Sequence, residues 1–342
     1  MKIPVGILGA TGAVGQRFVQ LLSDHPWFEI SDVAASDRSA GKPYGQACTW
    51  RLPGAPPARV GALIVQTTEG PFQAKLLFSG LDSSVAGGVE SALAAKGYAI
   101  VSNSSNHRMD ADVPLLIPEI NPDHLAAIEV QKKKTRGGYI VTNPNCSVVG
   151  LAMALAPFQK AIGIESVAVV TLQALSGAGY PGVASLDVAD NVVPFIGGGE
   201  EEKIESEPRK ILGDFVGGAF RPADVKISAS VHRVAVSDGH TMAAFLRLKK
   251  KISADEARRL LADFRGEPQQ RGLPFAPALP IHVLDESDRP QPRLDRDRER
   301  GMAVSVGRIR EDGQFHLKLE ALVHNTIRGA AGAAILNAEL IK

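Results

Sequence analysis

Cysteine is scarce in this chain, which contains only Cys48 and Cys146 among its 342 residues. Two cysteines cannot build a disulfide-stapled scaffold, and such sparing use of cysteine fits a reducing cytosol, so we expect a cytoplasmic protein. A chain of this length buries enough apolar surface to fold without covalent staples. Its length also predicts two domains.

The sequence also lacks an excess of charge of either sign. It has 38 Lys and Arg residues against 37 Asp and Glu residues, which gives a formal net charge of +1. A balance this even produces no field that draws nucleic acid or an anionic membrane to the protein. We therefore expect neither as a partner.

Long hydrophobic runs are missing as well. No window approaches the roughly 18 consecutive apolar residues that a membrane-spanning helix needs, and the run from Val148 to Phe158 is too short. The apolar N-terminus is not typical of a signal peptide, because it is interrupted by Gly6, Gly9, Gly12 and Gly15. This stretch indicates a strand followed by a glycine loop.

Up to Asn145 the chain alternates between short apolar runs and helical stretches. A strand at Lys2–Leu8 leads through the glycine loop into a helix at Val14–Leu22. Further strands are predicted at Ile30–Ala35, Leu63–Gln66, Leu76–Ser79, Ala99–Ser102 and Tyr139–Thr142, with a helix at Gly88–Lys96. The alternation predicts an α/β fold with a Rossmann-type doubly wound parallel sheet.

After Asn145 the pattern is typical of an α+β second domain. Two hairpins are predicted, one joining Lys226–Val236 to Thr241–Lys249 and one joining Met302–Ile309 to Phe315–Val323. A further strand is predicted at Val167–Gln173, with helices at Ser147–Lys160, from Ser253 to Phe264, and at Thr326–Ile341. The charged stretches Gln131–Gly138 and Asp285–Arg300 are interpreted as solvated surface loops.

The glycine loop predicts a dinucleotide site. Glycines between a strand and a helix let backbone N–H groups approach a pyrophosphate at the positive end of the helix. The spacing G-x-x-G-x-x-G is a weak signal on its own. The residues expected at the cofactor are Gly9, Thr11, Gly12, Ala13 and Val14.

The loop after the second strand bears on the choice of cofactor. It reads Ser36-Asp37-Arg38-Ser39, in which Asp37 suits the ribose of NAD. Arg38 and Ser39, together with Ser36, suit the 2′-phosphate of NADP instead, because Arg binds phosphate through two parallel hydrogen bonds. We favour NADP.

Cys146 is the candidate nucleophile. It lies in Asn143-Pro144-Asn145-Cys146-Ser147, between a predicted strand and a predicted helix. A thiol in the first turn of a helix is expected to have a lowered pKa, and nearby N–H groups can stabilise an oxyanion. Cys48 is interpreted as a buried structural residue.

Together the glycine loop Gly-Ala-Thr-Gly-Ala-Val-Gly and Asn-Pro-Asn-Cys at 143–146 resemble the aspartate-semialdehyde dehydrogenase family. Similar segments cover nearly the whole chain: Asn103–Arg108, Gln173 in Leu-Gln-Ala-Leu-Ser-Gly-Ala-Gly, Arg233 and His240 in Arg-Val-Ala-Val-Ser-Asp-Gly-His, and the C-terminal His-Asn-Thr-Ile-Arg-Gly-Ala-Ala-Gly. Residues 38–42 and 290–297 resemble the archaeal and fungal branch rather than the Gram-negative one.

The resemblance implies reduction of β-aspartyl phosphate by NADPH to aspartate β-semialdehyde and phosphate, in the biosynthesis of lysine, methionine, threonine and isoleucine. In this reaction Cys146 attacks the acyl carbon and forms a thioester. His240 is the general acid and base, and Gln173 orients the acyl group. Homodimers or homotetramers are implied as well, and no metal site is predicted.

The resemblance also assigns the remaining site residues. Arg233 binds the substrate carboxylate, Glu207 the ammonium, and Arg108 and Lys210 the phosphate, with Lys203 as the alternative to Lys210 if the register slips. Near the cofactor it places Ser79, Gly80, Asn103 and Asn325. Because the terminal helix returns to the first domain, the expected division is 1–145 plus 325–342 for NADP binding and 146–324 for catalysis and dimerisation.

Two other functions remain open. An acyl-CoA reductase such as malonyl-CoA reductase would keep Cys146 and His240 but accept a thioester. A non-catalytic NADP-binding paralogue would keep only the fold. The Ser-Cys-Thr-Thr-Asn pattern of glyceraldehyde-3-phosphate dehydrogenase is absent.

Overall fold

A computed structural model describes all 342 residues, and its N-terminal part is built on a five-stranded parallel sheet. The strands are β1 (Ile3–Leu8), β2 (Phe28–Ala34), β3 (Leu76–Ser79), β4 (Ala99–Ser102) and β5 (Tyr139–Thr142). Their order in the sheet is β2-β1-β3-β4-β5, and every pairing is parallel. The predicted doubly wound sheet is confirmed.

Five helices connect these strands: α1 (Ala13–Leu22), α2 (Tyr44–Ala47), α3 (Ala58–Gly61), α4 (Ser83–Ala95) and α5 (Ala127–Lys132). The strand predicted at Leu63–Gln66 is wrong. This segment makes only single bridges, between Gln66 and Ala34 and between Ile64 and Pro43. The segment runs beside the edge strand β2 but pairs with it only through the Gln66–Ala34 bridge, so it does not become a sixth strand of the sheet.

The second sheet has seven strands in the order β12-β13-β14-β11-β6-β10-β7. They are β6 (Ile164–Gln173), β7 (Val193–Pro194), β10 (Lys226–Arg233), β11 (His240–Leu248), β12 (Ile281–Leu284), β13 (Val304–Glu311) and β14 (Leu317–Val323), while β8 (Asp214–Val216) and β9 (Ala219–Arg221) form a separate ribbon. The predicted hairpin of β13 and β14 is confirmed.

The first predicted hairpin is wrong, although both of its strands exist. β6 lies between β10 and β11, pairing with β10 in parallel and with β11 in antiparallel orientation. Arg233 is therefore opposite Gln173, at the same end of the sheet where β11 begins with His240. The insertion of β6 brings three predicted site residues to one edge.

The remaining helices are α6 (Cys146–Ala161), α7 (Ser185–Val188), α8 (Glu200–Ile211), α9 (Ala254–Ala262), α10 (Glu267–Arg271), α11 (Pro292–Asp295) and α12 (Gly332–Ile341). Twelve residues of α6, from Ser147 to Phe158, are buried, so the helix forms the centre of the second hydrophobic core. No helix has both the length and the apolar composition needed to cross a membrane.

The terminal helix packs with the first sheet. Ile335 and Leu336 of α12 belong to the same buried cluster as Val5 and Phe18. Glu339 completes the contact, because its carboxylate accepts a hydrogen bond from His25 Nε2 at 2.7 Å. This packing supports the proposed discontinuous domain.

The charged stretch Asp285–Arg300 lies mostly at the surface, as its charge predicts, but it is organised around one buried carboxylate. Asp295 is 1% exposed and accepts hydrogen bonds from Arg289 Nε at 2.7 Å, Arg298 Nε at 3.0 Å and the Gln291 N–H at 2.8 Å. Burial raises the pKa of this carboxyl, but the hydrogen bonds from Arg289 and Gln291 outweigh burial and lower the pKa to about 2. The sequence of this stretch does not show which of its charged side chains the fold buries, so the buried carboxylate could not be predicted from the run of charges.

Candidate active site

A cleft of about 560 Å³ lies at the C-terminal edge of the parallel sheet and is shared with the second domain. This is where open α/β sheets bind ligands. Among the predicted site residues, those that line it are Ala13, Val14, Asn103, Arg108, Cys146, Lys203 and Asn325. One cleft thus joins the glycine loop to the candidate nucleophile.

Cys146 is the first residue of α6, as predicted. The side chain of Asn145 caps the helix by accepting from the Ser147 N–H at 2.9 Å and the Val148 N–H at 3.4 Å. The Cys146 thiol lies 3.1 Å from Nε2 of His240. A sulfur in contact with an imidazole at a helix N-terminus is suited to nucleophilic catalysis.

His240 is fully buried, with 0% of its surface exposed. Its other ring nitrogen, Nδ1, accepts a hydrogen bond from the Ala174 N–H at 3.0 Å. Burial, aided by the charge of Arg233, lowers the pKa of His240 to about 3. The imidazole is therefore neutral in this structure.

The Ala174 peptide also holds Arg233, whose Nη1 donates to the Ala174 carbonyl at 2.6 Å. Arg233 is 5% exposed, and the loop Ser176–Tyr180 covers it from the cleft. A Cβ atom placed on Gly177 would lie 2.8 Å from Arg233 Nη1 and 2.9 Å from Cε1 of His240. Only glycine at position 177 allows the loop to lie this close to both side chains.

The lowered pKa expected for Cys146 is wrong for the free protein. Burial, reinforced by the negative charge of Glu200, raises the pKa of the thiol to about 12. Arg108 and Arg233 oppose this rise but do not cancel it. The helix dipole was visible in the sequence, whereas burial and the Glu200 carboxylate depend on the tertiary fold.

Glu207 and Lys210 do not face the cleft, so their predicted contacts with substrate are corrected. Glu207 is 2% exposed, and its carboxylate accepts from Arg108 Nη1 at 2.9 Å and from the Asn145 N–H at 2.6 Å. Lys210 is 4% exposed and donates to the carbonyls of Arg108, Asp110 and Val113 at 2.8 to 2.9 Å. Burial lowers the pKa of Lys210 to about 8.

Glu200 and Lys203 occupy the cleft instead. Lys203 Nζ contacts a Glu200 oxygen at 3.1 Å, and both side chains line the cleft beside Cys146. The amide of Asn145 also donates to Glu200, at 2.9 Å. The Glu-x-x-Lys spacing occurs at 200–203 and again at 207–210, seven residues later on the same face of α8. The sequence thus contained the signal for Glu200, but we missed it.

Gln173 and Asn325 make different contacts within the site. Gln173 is buried, and its amide reaches Glu200 at 3.5 Å. Asn325 accepts from the Gly239 N–H at 2.9 Å and donates to Ser176 Oγ at 2.8 Å. Asn325 therefore joins the turn before His240 to the loop over Arg233.

The glycine loop leaves an open helix end toward the cleft. Gly12 precedes α1 without a side-chain cap, so the N–H groups of the first turn lack intrahelical partners. Gly9 has φ +73°, and a Cβ there would lie 2.7 Å from the Gly80 carbonyl. A Cβ on Gly15 would lie 2.2 Å from the Gly9 carbonyl. This close backbone packing with free donors fits a bound pyrophosphate.

The other predicted cofactor residues are divided between surface and core. Ser36 and Arg38 are exposed, Ser39 and Thr11 are half-buried, and Ser79 is fully buried at the end of β3. The residues after Gly80 that line the cleft are Leu81, Asp82 and Ser83. Asn103 lines it too, and its amide donates to the Ser79 carbonyl at 3.2 Å. Sequence reasoning also missed Arg51, which lies over the Tyr180 ring at 4.1 Å across the cleft.

Comparisons with known proteins agree with this geometry. The family described as "Semialdehyde dehydrogenase, NAD binding domain" matches residues 4–128, and "Semialdehyde dehydrogenase, dimerisation domain" matches 155–328. An aspartate-semialdehyde dehydrogenase of Methanothermobacter thermautotrophicus is 52% identical over 99% of both chains.

Two solved structures are similar over the whole chain. The Candida albicans aspartate-semialdehyde dehydrogenase with NADP is 44% identical, with a TM-score of 0.92, and the match covers 100% of this chain and 98% of that one. The Vibrio cholerae aspartate-semialdehyde dehydrogenase II complexed with ASA is 26% identical, with a TM-score of 0.79 and the same coverage.

Proposed function

The chain belongs to the aspartate-semialdehyde dehydrogenase family, and from that premise we propose how its cleft performs the family's reaction. The reaction is the NADPH-dependent reductive dephosphorylation of β-aspartyl phosphate to aspartate β-semialdehyde, a step of amino-acid biosynthesis. The observation that carries the proposal is the 3.1 Å contact between Cys146 Sγ and His240 Nε2, in the cleft that the glycine loop enters.

Cys146 forms the covalent intermediate. Its sulfur attacks the acyl carbon, phosphate leaves, and a thioester remains on the enzyme. The Ser147 and Val148 N–H groups are bound by the Asn145 cap, so the Cys146 N–H at the start of α6 is the backbone donor left to stabilise the oxyanion. Nε2 of His240 contacts the sulfur at 3.1 Å.

Charged groups around the thiol match the ends of the substrate. Glu200 suits the α-ammonium, because its carboxylate lines the cleft and lies close enough to Cys146 to raise the pKa of the thiol. Arg108 and Lys203 suit the phosphate, because both line the cleft. Arg233 suits the α-carboxylate, provided that the loop Ser176–Tyr180 moves off its guanidinium. Gln173, next to Glu200, remains the candidate for orienting the acyl group.

NADP fits the N-terminal side of the cleft, where α1 leaves backbone donors free. When bound there, it supplies or accepts the hydride. Gly9, Gly12, Ala13 and Val14 would hold the pyrophosphate, while Asn325 lines the same cleft from the segment after β14.

Arg38 provides a test of how NADP is chosen over NAD. Its side chain is exposed after β2 and forms no ion pair within the protein, so it is free to bind a phosphate. We expect Arg38→Ala to lower the affinity for NADP by about ten- to hundredfold, corresponding to about 1.5–3 kcal/mol. The affinity for NAD should be nearly unchanged. Isothermal titration with both cofactors measures this.

The matched control is Arg59→Ala, which removes another exposed arginine that pairs only with Glu29. It should leave both affinities unchanged. An equal loss of NADP and NAD affinity in Arg38→Ala would show that Arg38 does not contact the 2′-phosphate.

Substitution of Lys203 and of Lys210 tests which of these two lysines of α8 binds the phosphate. We expect Lys203→Met to raise KM for phosphate about tenfold or more, because a charge-assisted contact is lost, with little change in thermal stability. Lys210→Met should instead lower the free energy of unfolding by at least about 2 kcal/mol, because three buried carbonyls lose their donor. Steady-state kinetics and urea unfolding of both variants measure these effects. The reverse pattern would restore Lys210 as the phosphate ligand.

The reaction itself is tested by phosphate-dependent reduction of NADP with aspartate semialdehyde. An acyl-CoA reductase would require coenzyme A in place of phosphate, and a non-catalytic paralogue would give no turnover with either. Loss of phosphate dependence would therefore overturn the proposed function.

The dimerisation match and the outer face of the second sheet support a homo-oligomer. On this face of β6 the side chains of Val170 and Leu172 are 37% and 40% exposed, and Phe195, which follows β7, is 72% exposed. Burying these side chains against a second copy is favourable. We propose a homodimer or homotetramer built on this face, located in the cytoplasm.

A further inference from the structure

Glu90 is a buried carboxyl group of α4 that the proposed reaction does not use. None of its surface is exposed. Its Oε1 accepts a hydrogen bond from Ser102 Oγ at 2.7 Å, while Oε2 has no hydrogen-bond partner and lies 4.0 Å from Nε2 of His107. Burying a carboxyl group with so few partners costs free energy, so its presence requires an explanation.

The carboxyl group lies next to the ends of two neighbouring strands. Ser79 and Ser102 are the last residues of β3 and β4 and are paired with each other, so both hydroxyls lie on the same face of the sheet. Burial raises the pKa of Glu90, whereas the hydroxyls of Ser79 and Ser102 oppose the rise, so both lie close to the carboxyl group. Glu90 therefore links β3 to β4 where the two strands end.

The segment that follows β4 enters the cleft and is tied to the same carboxyl group. Ser102 Oγ, besides donating to Glu90, accepts from the Ser104 N–H at 3.0 Å. Arg108 Nη2 donates to the carbonyl of Asn103 at 2.8 Å, and both of these residues line the cleft. A chain of hydrogen bonds thus connects Glu90 to the segment Asn103–Arg108.

Helix α4 supports the middle of this segment as well. Asn106 Nδ2 donates to the Ser83 carbonyl at 3.0 Å, and His107 Nε2 lies 3.2 Å from the Gly87 carbonyl. A Cβ atom on Gly87 would lie 3.0 Å from Asn106 Nδ2. Gly87 precedes Glu90 by three residues and shares its face of the helix. The segment is therefore packed on the helix face that presents Glu90.

We propose that Glu90 is a positioning residue, which holds Asn103 at the cofactor and Arg108 at the phosphate by fixing the ends of β3 and β4. The inference rests on the proposed function, in which both residues face their ligands in the cleft. Glu90 itself touches neither ligand, because none of its surface is exposed. Small displacements of binding groups weaken binding strongly, so a loosened segment loses affinity for both ligands at once.

Two substitutions separate positioning from simple filling of the space. Glu90→Gln keeps the shape of the side chain and an oxygen that accepts from Ser102 Oγ, whereas Glu90→Leu fills a similar volume and accepts nothing. We expect every KM of the Gln variant within about threefold of wild type. In the Leu variant, KM for NADP and KM for phosphate should each rise about tenfold, with a smaller change in kcat. Steady-state kinetics measure these effects.

The third substrate is an internal control. KM for aspartate semialdehyde should change by less than about twofold in Glu90→Leu, because its proposed partners Glu200 and Arg233 belong to α8 and β10 of the second domain. A similar rise of all three KM values would overturn the proposal.

Leu93→Ala is the matched control for stability. Leu93 is a buried residue of the same helix, and its loss leaves a cavity in the core. We expect a lower thermal midpoint and three unchanged KM values, measured at a temperature where all variants are folded. The KM pattern of Glu90→Leu in this variant would show that Glu90 has only a structural role.

Hydrogen exchange provides a measurement that needs no turnover. Peptides covering residues 103–108 should exchange at least about tenfold faster in Glu90→Leu than in wild type, with the peptides of β1 unchanged. Unchanged exchange in residues 103–108 would overturn the proposal. If Glu90→Leu does not fold, Ser102→Ala removes the hydroxyl between Glu90 and the Ser104 N–H, and the same two outcomes decide.

The wild-type assay separates this inference from the proposed function. If the wild-type enzyme fails to reduce NADP with aspartate semialdehyde and phosphate, the proposed function itself fails, while NADP titration and hydrogen exchange still test Glu90. If wild type turns over and Glu90→Leu keeps the wild-type KM for NADP and for phosphate, only the role of Glu90 fails.

Discussion

Cys146→Ser is expected to lower kcat by at least about 10⁴ while NADP binding is retained. Serine keeps the size of the side chain and its place at the start of α6, but its hydroxyl is a far weaker nucleophile than a thiolate. The glycine loop is formed by other residues, so cofactor affinity should not change. Steady-state kinetics and NADP titration measure the two effects.

Cys48→Ser is the matched control, since it replaces the only other thiol, which is buried in the first domain. It should retain turnover, apart from any loss of stability. Substantial activity in Cys146→Ser would overturn the covalent mechanism.

The pH dependence of alkylation follows from the same thiol. Because burial and Glu200 raise its pKa to about 12, Cys146 of the free enzyme is almost wholly protonated near neutral pH. Its inactivation by iodoacetamide should be slow at pH 7 and rise continuously up to about pH 12. A plateau below pH 8 would contradict the raised pKa.

Glu119→Ala is expected to lower the free energy of unfolding by about 3–5 kcal/mol. Glu119 and Arg328 form an ion pair, with 2.7 Å between Oε2 and Nη2, and their exposed fractions are 4% and 0%. Removing the carboxylate leaves the guanidinium buried without a counter-charge. Urea unfolding at a fixed protein concentration measures the loss.

The double variant Glu119→Leu with Arg328→Met is the control. Nε and Nη1 of Arg328 and Oε1 of Glu119 already lack hydrogen-bond partners, so replacing both charges costs little. We expect it to be much more stable than Glu119→Ala. If Glu119→Ala were as stable as wild type, the ion pair would not hold this part of the fold.

The pair also bears on activity, because Arg328 lies in the π-helical turn Ile327–Ala331 beside the nucleophile. A Cβ on Gly329, the next residue, would lie 2.8 Å from Cys146 Cβ. The turn therefore defines one wall of the cleft at the thiol.

The local elements of the fold could be predicted from the sequence, but the long-range pairing could not. The alternation of apolar and polar residues predicted the strands β10 and β11, and the Ser-Asp-Gly sequence between them is typical of a hairpin. Nothing in either strand indicates that β6 inserts between them, because its partner residues lie far away along the chain.

The same limit applies to the site. The start of α6 follows from the local sequence Asn143-Pro144-Asn145-Cys146-Ser147, whereas the role of His240 was implied by the family resemblance, and its contact with Cys146 joins residues 94 positions apart. The two Glu-x-x-Lys pairs of α8 look alike in sequence and share one helix face. Only the position of Arg108 shows that Glu207 is buried beneath it while Glu200 reaches the cleft.

The packing of α12 on the first sheet has a consequence for biosynthesis of the chain. His25 and Glu339, which touch in the folded protein, are separated by 314 residues. At ribosomal rates of about 5–20 residues per second, roughly 15–60 s pass between the synthesis of His25 and that of Glu339. During that time the nascent chain exposes the apolar face that Ile335 and Leu336 will cover. The first domain to begin synthesis is therefore completed only after α12 has been synthesised.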